Sequence, residues 1–143
     1  MIILDTNVVS EAMRVGPSEP VMEWLDSHPE DTVWLTAVTD GEILIGIALL
    51  PVGRRRLHLE RLFATIIDAR FADRTLPYDR TAAAHFPGIM VARRRLGRPT
   101  SIQDAQIAAI ALAHGATLAT RNVKDFDGTG VALVNPWEAP GTT

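Results

Sequence analysis

The sequence predicts an α/β fold, a parallel sheet covered by helices on both faces. Short apolar runs recur along the chain, each bounded by turn residues or an acid, as buried strands are. Stretches with helical apolar spacing stand between them, and strands that alternate with helices pair in parallel. At 143 residues the chain suits a single domain with a substantial core.

Met1 to Leu4 is the first strand, ending at Asp5. A helix follows from about Asn7 to Arg14 and is closed by Gly16-Pro17. Ser18-Glu19-Pro20 starts the next helix, with Ser18 as N-cap and Pro20 in the first turn. Its Val21, Trp24 and Leu25 share one apolar face. Val33 to Thr36 is the second strand, and a helix from near Thr39 to Leu50 stops at Pro51. Leu59, Leu62, Phe63, Ile66 and Ile67 form the stripe of a helix over Arg54 to Phe71. Leu76-Pro77-Tyr78 is a brief extended piece. Asp79 to Leu96 reads as helix with a kink or break imposed by Pro87. Ser101 caps a helix that ends at His114, with Gly115 as its stop. Thr117 to Thr120 and Val131 to Val134 are the last two strands.

Composition excludes several classes of function. With no cysteine there are no disulfides, thiolate metal sites or cysteine nucleophiles. The four histidines, His28, His58, His85 and His114, are widely spaced and fit no zinc pattern. The first residues reach Asp5 too early for a secretory signal, and the apolar run Ile43 to Leu50 is too short to span a bilayer. A soluble, cytoplasmic protein is expected. The net charge of −3 gives no basic surplus of the kind that marks dedicated nucleic-acid binders, although acids and arginines can segregate locally.

In parallel sheets functional groups gather beyond the carboxyl ends of the strands. Asp5 follows the first strand, Glu42 begins the helix after the second, and Asp104 lies in the first turn of the helix from Ser101. Asn122 and Asp125 follow the strand that ends at Thr120. Each acid has a local alternative: Asp5 as an N-cap, Thr39 to Glu42 and Ser101 to Asp104 as capping boxes. Asp40 and Asp127 read as surface or turn residues. Several carboxylates converging on one crevice repel one another, and a divalent cation relieves the repulsion. Oxygen donors without histidine or cysteine suit Mg²⁺ or Mn²⁺. Such an ion acidifies a bound water for attack on phosphorus and stabilises the leaving oxygen. Asp5 and Asp104 are the expected direct ligands, and Glu42 binds the ion or orients the water. Asp125 or Asn122 completes the site, with Thr6 and Thr120 in support.

Four blocks carry a resemblance: Ile3-Leu4-Asp5-Thr6-Asn7-Val8, Gly41-Glu42-Ile43, Asp104-Ala105-Gln106-Ile107-Ala108-Ala109 and Ala119-Thr120-Arg121-Asn122. Their order and spacing resemble PIN-domain ribonucleases, in particular the VapC/FitB-like toxins of type II toxin–antitoxin pairs. Arg54-Arg55-Arg56 and the closing Asn135-Pro136-Trp137 fit that group. The resemblance spans residues 1–137 as a single domain and leaves 138–143 as a C-terminal tail. It implies a three-layer α/β/α sandwich, Mg²⁺- or Mn²⁺-dependent RNA cleavage and a homodimer. It also implies a small antitoxin that fills the active-site groove, with operator DNA reached only through that antitoxin. Asp5, Glu42 and Asp104 match the family's acids directly. Asn122 departs from it, since many relatives have Asp there, which puts the number of metals in question.

Seven of the fourteen cationic residues lie in Arg54 to Arg56, Arg93 to Arg95 and Arg98. A solvated helix face explains such triplets. The functional reading assigns Arg94 and Arg95 to the RNA backbone, where phosphate contacts carry non-specific affinity. Trp24, Trp34 and Trp137 read as packing or interface residues. Two rival enzyme-like folds lack their acid pairs: a haloacid-dehalogenase phosphatase needs Asp at position 7, where Asn7 stands, and a receiver domain needs paired acids after its first strand. A catalytically silent binding module, acting through a dimer and an antitoxin complex, stays open at this level.

Overall fold

The structure is a computed structural model that describes residues 1–138. Among them five strands form one all-parallel sheet in the order β3-β2-β1-β4-β5, with β1 Ile2–Leu4, β2 Val33–Thr36, β3 Thr75–Leu76, β4 Thr117–Ala119 and β5 Ala132–Val134. Between β1 and β2 run α1 (Thr6–Ala12) and α2 (Glu19–Asp26). Between β2 and β3 run α3 (Ala37–Ala48) and α4 (Arg54–Ile66), and between β3 and β4 run α5 (Arg80–Ala83), α6 (Phe86–Arg95) and α7 (Ile102–His114).

Successive strand residues point to opposite faces, so each strand feeds two cores. Register pairs Ile3 with Leu118 and Leu4 with Ala119. Ile3 and Leu118 meet the helices α5 to α7, where Ala105 and Ile107 to Ala111 are buried. The alanines let α7 lie close against the sheet. Leu4, Leu35 and Ala119 meet the other helix layer through Val8, Val21, Trp24, Ile43, Ile47 and Phe63. The result is the three-layer α/β/α sandwich. None of its helices is long and apolar enough to cross a membrane, among the described residues.

Local expectations hold in type and differ at several boundaries. Pro87 does not kink one long helix; it sits in the first turn of α6, and the break falls just before it, after α5. Ser18 occupies the N-cap of α2, but its hydroxyl makes no capping bond; its amide donates instead to Glu11 Oε2 at 3.0 Å. The helix over Arg54 to Phe71 ends in a π turn from Ile67 to Phe71. Gly115 stops α7 in the left-handed conformation, as expected. Of the tail, residues 139–143 lie outside the described residues.

The Arg93 to Arg95 triplet splits. Arg93 is buried, 4% exposed, and its Nη1 donates to the carbonyls of Lys124 and Asp127 at 3.0 and 2.8 Å. It thereby fixes the turn Val123–Phe126 that follows β4. Gly128 closes this loop at φ +76°, and a Cβ there would meet Leu96 Cδ1 at 2.4 Å. Arg93→Ala leaves two carbonyls without their charged donor and is expected to lower unfolding free energy by about 3 kcal/mol, read by urea denaturation. A loss within experimental error shows that Arg93 does not hold the loop.

Candidate metal and nuclease site

In this strand order the chain switches direction between β1 and β4, which opens a crevice beyond their carboxyl ends. Asp5 and Thr120, the residues directly after those two strands, face each other across it. Asp5 is the N-cap of α1, so its local alternative is real: Oδ1 accepts from the Thr6 amide at 2.9 Å. Its other oxygen does something a cap does not require. Oδ2 accepts from the fully buried Thr120 hydroxyl at 2.8 Å and from Asn7 Nδ2 at 3.3 Å. Asn7 also accepts the Arg121 amide through Oδ1 at 3.3 Å. A carboxylate at position 7 could not both donate and accept in this way, which is why Asn suits it.

The Thr39 capping box is not formed. Thr36 is the N-cap of α3, and its hydroxyl accepts from the Thr39 amide at 3.1 Å. Glu42 therefore sits in the second turn and is released from capping. Its Oε1 accepts from the Thr6 hydroxyl at 2.9 Å, and Thr6 also approaches the buried Thr39 hydroxyl at 3.3 Å. Ser101 does cap α7, accepting the Asp104 amide at 3.1 Å, and this places the Asp104 carboxyl at the crevice.

These groups line a single cavity of about 450 Å³, with Asp5, Thr6, Asn7, Ser10, Glu11, Arg14, Glu42, Asp104, Arg121, Asn122 and Trp137 in its wall. Burial, then the neighbouring charges of Asp5 and Glu42, push the Asp104 carboxyl up to about 6. Burial also raises Asp5, against the hydrogen bonds from Thr120 and Thr6. Oxygen donors alone supply the acidic part of the wall, the donor set of a hard cation. Among the described residues no three acids stand close enough to form a complete ligand cage. An ion that keeps several waters and takes only one or two carboxylates directly is compatible with that spacing.

Asn122 lines the cavity, its amide donating to the Thr120 hydroxyl at 3.0 Å. Asp125 is exposed in the turn Val123–Phe126 and stands outside the wall, yet near enough to raise both Asp5 and Asp104. Arg94 and Arg95 are exposed in the last turn of α6 and do not line the cavity. The cations that do are Arg14 and Arg121, neither of which was given a role from the sequence; the second lies between Thr120 and Asn122, where the strand-end argument could have found it. Asp40, expected at the surface, has one carboxylate oxygen buried without a partner among the described residues, and burial raises its pKa.

The sequence and the fold both match known proteins. A family model for the PIN domain matches residues 2–130. The chain is 42% identical to Toxin FitB of Neisseria gonorrhoeae, over 96% of this chain and 99% of the toxin. It is 37% identical to VapC ribonuclease Y4jK of Sinorhizobium fredii, again over 96% and 99%. A solved structure of FitAB bound to an IR36 DNA fragment matches with a TM-score of 0.91 and 38% identity, covering all of both chains.

Raised carboxyl groups give a signed pH dependence. Folded Asp104 keeps its proton up to about pH 6, whereas the ordinary value is 3.8. The folded chain holds more protons between those values, so this group costs stability as pH rises through the window and costs most above it. In EDTA, Asp104→Asn is expected to melt above the wild type near neutral pH, by a margin that vanishes near about pH 4. A constant margin across that range rules out the crowded-carboxylate reading.

Proposed function

The chain belongs to the PIN-domain family, and on that premise we propose that it is an endoribonuclease, the toxin of a toxin–antitoxin pair, whose activity depends on Mg²⁺ or Mn²⁺. The observation that carries the reading is the acidic crevice itself: Asp5, Glu42 and Asp104 are delivered by three separate elements to one cavity, and the first two are held there by neutral donors. Residues 1–137 form its single domain.

Asp5 and Asp104 would hold the ion, with Glu42 and Asn122 completing its surroundings. When bound, the cation neutralises the crowded acids, acidifies a water and stabilises charge on the transferred phosphate. The chain's own residues set the geometry. Thr120 and the Thr6 amide fix both oxygens of Asp5, so this carboxylate cannot rotate away. Thr6 holds Glu42 by Oε1 and leaves Oε2 to orient the attacking water and accept its proton. Attack on phosphorus then breaks the bond to the ribose oxygen opposite. Asp125, at the rim, adds negative charge and completes the site through water.

An apolar groove of about 560 Å³ shares Thr6, Ser10, Arg14 and Glu42 with the acid cavity and continues over Met13, Ile43, Ile47 and Leu59. Its continuity with the acids supports an antitoxin segment that lies there and blocks the site. DNA is then reached through the antitoxin, and the toxin itself is a homodimer.

Purified protein is expected to cleave total RNA in Mg²⁺ or Mn²⁺, to lose cleavage in EDTA and to regain it when either ion is returned. Asp5→Ala and Asp104→Ala should abolish cleavage while far-UV circular dichroism stays unchanged. Cleavage that persists in EDTA overturns the mechanism, and a folded wild type that cleaves nothing is the silent binding module.

A further inference from the structure

Arg121 is in an unusual position for a cation. It lines the same cavity as Asp5, Glu42 and Asp104, yet among the described residues it makes no ion pair with any acid, and its guanidinium makes no hydrogen bond. It lies instead over the Trp137 ring, 5.0 Å from the centroid. Trp137 is half-buried, packed against the core layer that contains Leu4, Val8 and Ala119, and its amide donates to Asn135 Oδ1 at 3.0 Å. The backbone of Arg121 is fixed as well, because its amide donates to Asn7. The other cation of the wall, Arg14, is already bound to Glu11 at 3.1 Å.

A guanidinium over an indole spends none of its N–H donors on hydrogen bonds to that ring. The five N–H donors form the fork that matches two phosphate oxygens. An exposed cation–π contact is weak, enough to favour one orientation and too little to be the reason for the residue. A cation free to swing would fall onto the acids and take the place of a metal ion. Held on Trp137, it stays off Asp5, Glu42 and Asp104.

We infer that Arg121, seated on Trp137, is the phosphate anchor that holds the RNA strand across the acid cavity. It touches substrate, while Trp137 is a positioning residue that acts through it. The inference rests on the ribonuclease reading and assigns the substrate-binding role to the Arg121 rim, a part of the surface away from Arg94 and Arg95.

The test is binding of a fluorescein-labelled mixed-sequence RNA oligonucleotide, followed by anisotropy in EDTA, which stops cleavage, over a range of KCl. Losing one phosphate contact to single-stranded RNA makes the slope of log affinity against log salt shallower by about 0.7. Arg121→Ala is expected to show that change and to bind roughly tenfold more weakly. Arg121→Lys keeps the slope, because the charge stays. Trp137→Leu also keeps the slope while weakening binding, because only the orientation is lost. An unchanged affinity in Arg121→Ala overturns the inference, and so does weaker binding with an unchanged slope, the mark of a merely structural effect. If the wild type cleaves RNA in Mg²⁺ or Mn²⁺ while Arg121→Ala binds like it, this inference alone falls. A wild type that neither binds nor cleaves RNA takes the ribonuclease reading with it.

Discussion

The structure depends on a buried negative charge that is held in place without being neutralised. Asp5 is 5% exposed, and every hydrogen bond it accepts comes from a neutral donor: the Thr6 amide, the Thr120 hydroxyl and the Asn7 side chain. A carboxylate buried for stability alone is ordinarily paired with a cation, because desolvation outweighs neutral hydrogen bonds unless the charge is balanced. Two arginines stand in the same cavity wall and are used elsewhere, one on Glu11 and one on Trp137. Neutral donors fix direction and leave the field intact. The consequence appears at Asp104, whose carboxyl is raised partly by Asp5 and Glu42. Two independent cores, one on each face of the sheet, carry the fold despite that repulsion.

How much of this was legible in the sequence follows from how local each interaction is. Asp5 was legible because a strand end and the residue after it are neighbours in the chain. Ser101 and Gly115 were legible for the same reason, as the two ends of one helix. Glu42 was picked out by residue type while its surroundings were misread, because Thr36 takes the cap that Thr39 seemed to offer. Moving the helix start by three residues shifts Glu42 from the first turn into the second and turns a capping group into a free one. Arg93 could not be told from Arg94 and Arg95, since only the packing of α6 against the turn after β4 decides which of the three points inward. Arg121 on Trp137 joins two strand ends that pattern alone does not bring together.

The loop after β4 shows how a departure from the family pattern can be accommodated. Asn122 replaces an acid that many relatives are expected to carry, and its backbone is fixed to Thr120, the residue that also holds Asp5. Asn122 thus lines the cavity without bringing a charge to it. Asp125 returns charge three residues later from outside the wall, and its influence on Asp5 and Asp104 shows that the field still reaches them. Arg93 and Gly128 keep this loop in one shape, so the charge at Asp125 has a defined position in spite of its exposure.

The distribution of cations then becomes a requirement of the site. A nuclease must draw in a polyanion with a surface whose deepest feature is anionic, and the same surface must leave that feature open to an ion. Spreading arginines through the cavity would meet the first need and defeat the second, because each would pair with a carboxylate that an ion would otherwise take. Placing them at the rim separates the two by distance, but long side chains shorten that distance by bending inward. Each rim arginine therefore needs an interaction of its own that opposes the pull of the acids. Glu11 supplies one for Arg14 and the Trp137 ring supplies the other for Arg121. These contacts add little to stability; their effect is to occupy the two arginines without drawing them onto Asp5, Glu42 or Asp104.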